Sequence, residues 1–184
     1  TRHLLKYYPP EAVTGINISE KQLETCKANA PGCRFLLMNA ADLKFDDASF
    51  DNIICVEAAF HFDTREKFLR EACRVLKPGG SLVLSDSLFT RWWERIKPPG
   101  GLLNYVEDPA AYRALCQAAG FQDAEIIDAR EECAVRFLRN CNRFLRARHL
   151  AGAIDRETLT KMSARMSLYV MNIRHYPLVA ARKG

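Results

Sequence analysis

The sequence predicts a parallel, doubly wound α/β sheet. Short runs rich in Val, Ile, Leu and Phe alternate along the chain with longer stretches of helical periodicity. The short runs are almost continuously apolar, which suits strands that are buried on both faces of a sheet. Because strands that alternate with helices form parallel sheets covered by those helices, both observations indicate the same fold class.

Six short apolar runs bounded by turn residues are predicted to be strands. In chain order they are 12–18, 33–38, 52–56, 81–85, 124–128 and 176–181. The last run follows a helix that itself follows a strand, so we expect it to form an edge of the sheet.

Each predicted helix begins at a residue whose side chain can cap its free N–H groups. These residues are Ser19, Asp63, Asp108 and Asp155. Gln22 and Glu66 stand three residues after the first two, as in a capping box, and Pro109 suits the first turn of the third helix. The Lys-Pro-Gly-Gly run at 77–80 is expected to stop the second helix, and 2–8 also has helical character. The last helix is long, with apolar residues at helical spacing up to Ile173.

Composition excludes several classes of protein. The 184 residues are 48% hydrophobic and 27% charged, which is typical of one globular domain rather than a disordered chain. The net charge of +5 does not by itself indicate a nucleic-acid partner. No apolar run reaches the length of about 20 residues that spans a bilayer. Seven cysteines without a two-residue spacing favour reduced thiols in the cytoplasm and no metal site.

A basic stretch between 130 and 150 contains six arginines and two glutamates. Its arginines and its apolar residues each recur at helical spacing, on different faces. A solvated helix face is one interpretation, and a site for an anionic substrate or an acidic membrane surface is the other.

Ligands of open α/β sheets bind beyond the carboxyl ends of the strands. The segments that follow the first four predicted strands are therefore the candidates for a functional site. They are 15–19, 39–43, 57–62 and the residue Asp86.

Three segments resemble the class I S-adenosylmethionine-dependent methyltransferases. They read Gly-Ile-Asn-Ile-Ser at 15–19, Asn-Ala-Ala-Asp-Leu-Lys-Phe-Asp-Asp-Ala-Ser-Phe-Asp at 39–51 and Arg-Val-Leu-Lys-Pro-Gly-Gly at 74–80. Their order and spacing are most similar to the small-molecule group, which includes ubiquinone/menaquinone and natural-product O-methyltransferases. The resemblance implies a Rossmann-like sheet, S-adenosylmethionine as cofactor, and methyl transfer to an oxygen or nitrogen of a small-molecule acceptor.

The resemblance also implies a set of cofactor-binding residues. These are Asn17, Ile18, Asn39, Ala40, Glu57 and Ala58. Asn17 stands where the family usually has an acidic residue that holds the ribose hydroxyls; an amide can accept from one hydroxyl and donate to the other. Asn39 and Ala40 match the adenine segment, and Glu57 with Ala58 would line the sulfonium side. Alternatively, Asn17 only forms the turn after its strand.

His61 is the predicted general base, because it matches the second member of a His-His pair in natural-product relatives. A packed histidine between two phenylalanines is the alternative interpretation. The predicted acceptor contacts are Phe60, Trp92, Trp93 and Tyr105. Within a single domain spanning 1–184, we expect 87–107 and 130–175 to form an acceptor-side lid and helical additions.

The glycine-rich loop that the family places after its first strand has no counterpart in the sequence. Residues 1–8 resemble the end of the helix that should follow this loop, so we expect the first, central strand to be missing. The sequence is then a fragment of a longer enzyme, or a partner chain fills the gap, and self-association is one way to do so.

Two other functions remain open at this point. A degenerate, non-catalytic methyltransferase-like binding partner is favoured by the asparagines and the missing loop. A nicotinamide-dependent oxidoreductase would share the sheet but not the 49–51 and 77–80 segments.

Overall fold

The computed structural model describes residues 1–96 and 101–184. The chain divides into two compact units, Thr1–Asp46 and Asp47–Gly184. The single-domain organisation expected from the sequence stays a prediction.

The first unit is a small β-α-β arrangement. Its elements are β1 (Thr14–Asn17), α1 (Glu20–Asn29) and β2 (Arg34–Leu37), preceded by 3₁₀ turns at Leu4–Lys6 and Pro10–Ala12. β1 and β2 are parallel, as predicted. Ser19 caps α1 by accepting a hydrogen bond from the Gln22 N–H, also as predicted. The expected helical character of 2–8 is wrong beyond the single 3₁₀ turn.

The second unit contains the remaining strands and helices. Its strands are β3 (Phe50–Val56), β4 (Leu76–Ser85), β5 (Leu88–Phe89), β6 (Phe121–Asp128), β7 (Ile173–His175) and β8 (Pro177–Lys183). Its helices are α2 (Arg65–Val75), α3 (Arg91–Ile96), α4 (Pro109–Ala118), α5 (Arg136–Leu150) and α6 (Arg156–Met171), with 3₁₀ turns at Ala59–His61 and Gly101–Asn104 and a π turn at Glu131–Val135.

The main sheet of the second unit has the strand order β3-β4-β8-β6, and β5 pairs separately with β7. β3 and β4 are parallel, whereas β8 is antiparallel to both β4 and β6. The expectation that the last strand forms an edge is therefore wrong, because β8 lies between two neighbours. Within the described residues, β3 pairs on one side only.

One face of this sheet forms the core of the second unit. Leu82, Leu84 and Val179 are buried there, and α2 contributes Phe68 and Leu69. The opposite face is open and apolar. Its exposed side chains are Ile54, Val56, Val83, Ile127 and Leu178.

The start of α2 differs from the prediction. Thr64, rather than Asp63, is the capping residue, because its backbone is extended and its hydroxyl accepts a hydrogen bond from the Lys67 N–H at 3.1 Å. Asp63 instead pairs with the Lys67 ammonium group. The helix ends at Val75, where the backbone becomes extended and β4 begins.

All seven cysteines are free thiols, and Cys55, Cys73 and Cys116 are buried. None of the helices in the described part of the chain combines the length and apolar composition that a bilayer crossing requires.

Candidate functional site

Glu57 has an unusual backbone conformation at the carboxyl end of β3. Its φ angle is 48°, in the left-handed region that non-glycine residues seldom occupy. Its N–H donates to the carbonyl oxygen of Ser85 at 2.9 Å, so the β3–β4 pairing fixes the residue in place. Strain of this kind is usually found where a side chain has a function.

The Glu57 carboxylate accepts a hydrogen bond from the Tyr176 hydroxyl at 2.5 Å. Tyr176 is in turn fixed by Asp128 at the end of β6, whose carboxylate accepts from the Tyr176 N–H at 2.9 Å. His175 Nδ1 lies 2.6 Å from the other oxygen of Asp128. Residues at the ends of three strands thus hold the Glu57 carboxylate and the Tyr176 phenol together at one end of the sheet.

Burial and hydrogen bonds keep Tyr176 and Asp128 in defined protonation states. Burial, followed by the hydrogen bond to Glu57, raises the pKa of Tyr176, so its hydroxyl remains a donor at neutral pH. Burial raises the pKa of Asp128, but hydrogen bonds from the Tyr176 N–H, His175 and the Arg130 N–H lower it by more. Asp128 therefore remains ionised.

An aromatic cluster extends from Tyr176. Its buried members include Phe60, Phe89, Val170 and Ile173, with Trp93, Cys133 and Tyr169 packed against them. The Phe89 ring stacks against Trp93 at a centroid distance of 6.0 Å and meets Tyr169 edge-on at 5.5 Å. Burial, and then the charge of Glu57, raises the pKa of Tyr169. The carboxylate therefore lies beside a largely apolar, aromatic surface.

A π turn, Glu131–Val135, contributes Cys133 to this cluster. Burial raises the pKa of the Cys133 thiol, and the charges of Glu132 and Glu57 raise it further. The thiol is therefore held in its protonated form, and π turns inside helical segments are frequent at functional sites.

The predicted acceptor residues separate into three environments. Phe60 and Trp93 belong to the aromatic cluster, whereas Trp92 is 57% exposed. Tyr105 lies in a polar group, where its hydroxyl donates to Glu107 at 2.7 Å and accepts from Arg174 at 2.9 Å. The structure therefore brings Phe60 and Trp93 together in the cluster, with the exposed Trp92 ring 6.2 Å from that of Trp93, and the role of all four stays a prediction.

His61 ends the 3₁₀ turn that follows Glu57, and it is exposed. Its ring lies 4.2 Å from that of Phe60, at a tilt of 43°. The imidazole is thus not enclosed between the two phenylalanines, and its role as a base stays a prediction. Ala58 is half-buried between Glu57 and this turn.

The predicted cofactor residues of the first unit follow its two parallel strands. The Asn17 side chain accepts from the Ser19 N–H at 2.9 Å and donates to Gln22 at 2.6 Å. It retains one lone pair and one N–H, so it can still bind two ribose hydroxyls. Ile18 is 76% exposed, as an apolar contact for a flat base would be.

Asn39 and Ala40 follow β2, the parallel neighbour of β1. The Asn39 side-chain oxygen accepts from the Ala41 N–H at 2.9 Å, which leaves its amide N–H groups available to an acceptor atom of a base. The residues present in this unit therefore fit an adenosine. The hydrogen bonds of Asn17 to Ser19 and Gln22 are equally consistent with a residue that only forms the turn.

Sequence reasoning missed Tyr176, Asp128 and Tyr169. Asp128 is the last residue of a predicted strand, so the strand-end rule could have found it had it been applied beyond the first four strands. Tyr176 and Glu57 are 119 positions apart, and no local pattern indicates their contact.

A buried ionic network joins the segments that flank this site. Arg65 is 1% exposed and its Nε donates to Asp86 at 2.6 Å. Its guanidinium also donates to the carbonyl oxygens of Ser87 and Asn104, and Glu94 lies 3.9 Å away. Burial alone lowers the pKa of Arg65, but Asp86 raises it by more, so the guanidinium stays charged. Asp86 is therefore a structural residue.

Comparison with known proteins shows that this chain is similar to methyltransferases. Residues 1–84 match a methyltransferase domain family. O-methyltransferase rstn1 of Aspergillus nomiae is 30% identical over 135 residues, which are 65% of this chain and 58% of that protein. The 27-O-demethylrifamycin SV methyltransferase of Amycolatopsis mediterranei is 38% identical over 96 residues, or 49% of this chain and 33% of that protein. The chain thus spans about a third to somewhat over half of these relatives.

The fold has a counterpart among solved structures. A protein from Galdieria sulphuraria, described as a sarcosine dimethylglycine methyltransferase, superposes with a TM-score of 0.79 at 17% identity, over 100% of this chain and 73% of that one. At this identity the likeness concerns the fold alone. The domain match, the two relatives and the fold agree with the three sequence segments, and the chain is similar to the class I S-adenosylmethionine-dependent methyltransferases.

Proposed function

We propose that the protein binds S-adenosylmethionine and transfers its methyl group to an oxygen or nitrogen of a small-molecule acceptor. The observation on which this proposal chiefly depends is the strained Glu57, held by Tyr176 beside an aromatic cluster at the carboxyl end of the strands. Relatives that are O-methyltransferases support oxygen as the first atom to test.

The predicted cofactor-binding residues would each have a separate role. In the first unit, Asn17 would hold the ribose hydroxyls, Ile18 would contact the adenine plane and Asn39 its edge. In the second unit, the negative charge of Glu57 would face the positive sulfonium, with the adjacent Ala58 leaving room for it. Tyr176 would keep the carboxylate in one orientation by its hydrogen bond.

When bound, S-adenosylmethionine supplies a methyl group that its sulfonium already activates. The protein therefore needs chiefly to position the acceptor and exclude water. The cluster of Phe89, Trp93 and Tyr169 would provide an apolar surface against a ring-shaped acceptor. His61 would take the proton from the acceptor hydroxyl or ammonium group as it is methylated.

Cofactor binding is tested by titrating S-adenosylhomocysteine into the purified protein in a calorimeter. Asn17→Ala should raise Kd by about 5- to 150-fold, which corresponds to a hydrogen-bond loss of about 1–3 kcal/mol. Asn17→Asp should lower Kd, because a carboxylate accepts both hydroxyls more strongly. Asn140→Ala, at an exposed asparagine of α5, is the matched control.

Absence of binding by the wild type would contradict the proposed cofactor. If the Kd is unchanged in both Asn17 variants and only Asn17→Ala loses stability, Asn17 only forms the turn after its strand. Binding without methyl transfer to any acceptor would favour the non-catalytic binding partner.

The role of His61 is tested with labelled methyl donor and a panel of phenols, quinols, hydroxylated polyketides and amines. His61→Ala should lower turnover by roughly 10²–10⁴-fold with nearly unchanged cofactor affinity. A variant with the wild-type rate would remove His61 from the reaction.

A further inference from the structure

Helix α5 has a strongly basic exposed surface that the proposed reaction does not use. Its arginines are Arg136, Arg139, Arg143, Arg146 and Arg148, and all five are exposed. No acidic residue occurs between Glu132 and Asp155. Arg139 pairs with Glu131 at 2.8 Å, but no ion pair joins the other four to a carboxylate in the two described stretches, 1–96 and 101–184.

The same helix also exposes large apolar side chains. Phe137 is 50% exposed, Phe144 is 64% exposed and Leu150, its last residue, is 86% exposed. A solvated helix face has no need for such residues, and α5 packs against its own unit through other side chains, including Leu145 and the half-buried Leu138. Exposed aromatic and aliphatic groups next to unpaired charges require another explanation.

Helical spacing arranges these residues in two rows on the exposed side of α5. Phe137 and Phe144 are seven positions apart and therefore lie on one face, with Arg148 one turn further on. Arg136, Arg143 and Leu150 repeat at the same interval and form a second row, about 100° around the helix from the first, with Asn140 and Ala147 between the two rows. The rows run along a helix of 15 residues, about 22 Å long, so the exposed side of the helix carries both apolar and cationic groups.

We propose that this α5 surface docks on a membrane that contains anionic lipids. The unpaired arginines complement the negative headgroups, and their long apolar stems allow them to stay at headgroup level. Phe137, Phe144 and Leu150 are the groups that would enter the boundary between headgroups and acyl chains. An aliphatic side chain such as Leu150 cannot stack on bases, and its exposure therefore favours a lipid surface over a nucleic acid. The docking does not depend on the proposed methyl transfer.

The test is flotation of the full chain with two kinds of vesicle. One kind contains phosphatidylcholine alone, and the other also contains about 30% phosphatidylserine to represent an acidic membrane. The wild type should bind the acidic vesicles, and binding should weaken as salt is raised. Arg136→Gln/Arg143→Gln should weaken the binding by about 25-fold, or fivefold per arginine. Lys21→Gln/Lys27→Gln, which makes the same charge change on exposed α1, is the matched control and should have little effect.

The Phe144→Ser variant distinguishes binding to a lipid surface from binding to other polyanions. It should weaken vesicle binding severalfold while leaving retention on heparin and binding of poly(U) RNA unchanged. The residue is exposed, so its thermal unfolding should match the wild type. The proposal is overturned if acidic vesicles are not bound, if poly(U) is preferred to them, or if Phe144→Ser binds vesicles as well as the wild type.

Discussion

Glu57 combines a backbone that disfavours side chains with a carboxylate that has a specific partner. A φ angle of 48° costs a non-glycine residue on the order of 1–3 kcal/mol, and a glycine would avoid that cost. A glycine would also remove the group that accepts the Tyr176 hydrogen bond. The strain is therefore best explained by a use for the carboxylate itself.

Tyr176 is a positioning residue for this carboxylate, and Tyr176→Phe tests that role. The phenyl ring keeps its place in the aromatic cluster, so the free energy of unfolding should change little. Without the hydroxyl, a hydrogen bond to a charged group worth about 1.5–3 kcal/mol is lost, and kcat for methyl transfer should fall by about 10- to 150-fold. Steady-state kinetics should show this fall in kcat rather than a rise in the acceptor KM.

A double-mutant cycle with Glu57→Gln distinguishes positioning from packing. If Tyr176 acts through Glu57, the two substitutions together should cost no more than Glu57→Gln alone. Additive effects on kcat would contradict the proposed coupling. Tyr7→Phe, at an exposed tyrosine of the first unit, controls for loss of a hydroxyl.

A functional residue could be predicted from the sequence only where its position on a strand or helix was enough to suggest its role. Glu57 was found because it follows a strand. Tyr176 was not, because its contact is made across 119 positions and depends on the pairing of β8 with β6. The same reason hid Asp128, which reaches Tyr176 only through that pairing.

At the scale of elements, capping chemistry predicted where helices begin, with one instructive error. Asp63 and Thr64 are both good capping residues, and sequence alone favours Asp63 because Glu66 follows at capping-box spacing. The structure selects Thr64, since its backbone is extended and its hydroxyl reaches the Lys67 N–H.

Two substitutions at this helix start should therefore differ in effect. Thr64→Ala should lower the free energy of unfolding by about 1 kcal/mol, because an N–H of α2 loses its acceptor. Asp63→Ala removes only an exposed pair with Lys67 and should lower it by less than about 0.5 kcal/mol. Urea unfolding of both variants measures the difference, and a larger loss in Asp63→Ala would reverse the assignment of the cap.

The six predicted strands are all present, but the shortest elements were missed. β5 and β7 have two and three residues, too few for an alternating pattern to appear. Ile173 was placed on the last helix because it continues that helix's apolar spacing, and this is wrong: α6 ends at Met171 and Ile173 begins β7. Tertiary pairing with β5 overrides the local period at this position.

At the scale of the whole molecule, the class of fold was predictable and the order of strands was not. Alternation of strands and helices indicates an α/β sheet, but nothing in the local sequence places β8 between β4 and β6. The open face with Ile54 and Val56 is likewise a property of the assembled sheet.

The Arg65 network connects four parts of the second unit, so its loss should affect the unit as a whole. Arg65 belongs to α2, Asp86 and Ser87 follow β4, Glu94 lies in α3, and Asn104 ends a 3₁₀ turn. The Asn104 side chain also accepts from the Arg65 N–H at 2.6 Å. Sequence patterns gave no sign of this network, because an arginine in the first turn of an amphipathic helix is ordinarily exposed.

Arg65→Met should lower the free energy of unfolding by about 3–5 kcal/mol, because it leaves the Asp86 carboxylate buried without its cation. Arg65→Met/Asp86→Leu should recover part of that loss, since it removes this buried charge. Arg70→Met, which breaks an exposed pair with Glu66, is the matched control and should change stability by less than about 1 kcal/mol. Chemical unfolding followed by circular dichroism measures all three variants. If Arg65→Met is no less stable than Arg70→Met, the network does not hold these segments together, and the packing of α2 against β4 must do so instead.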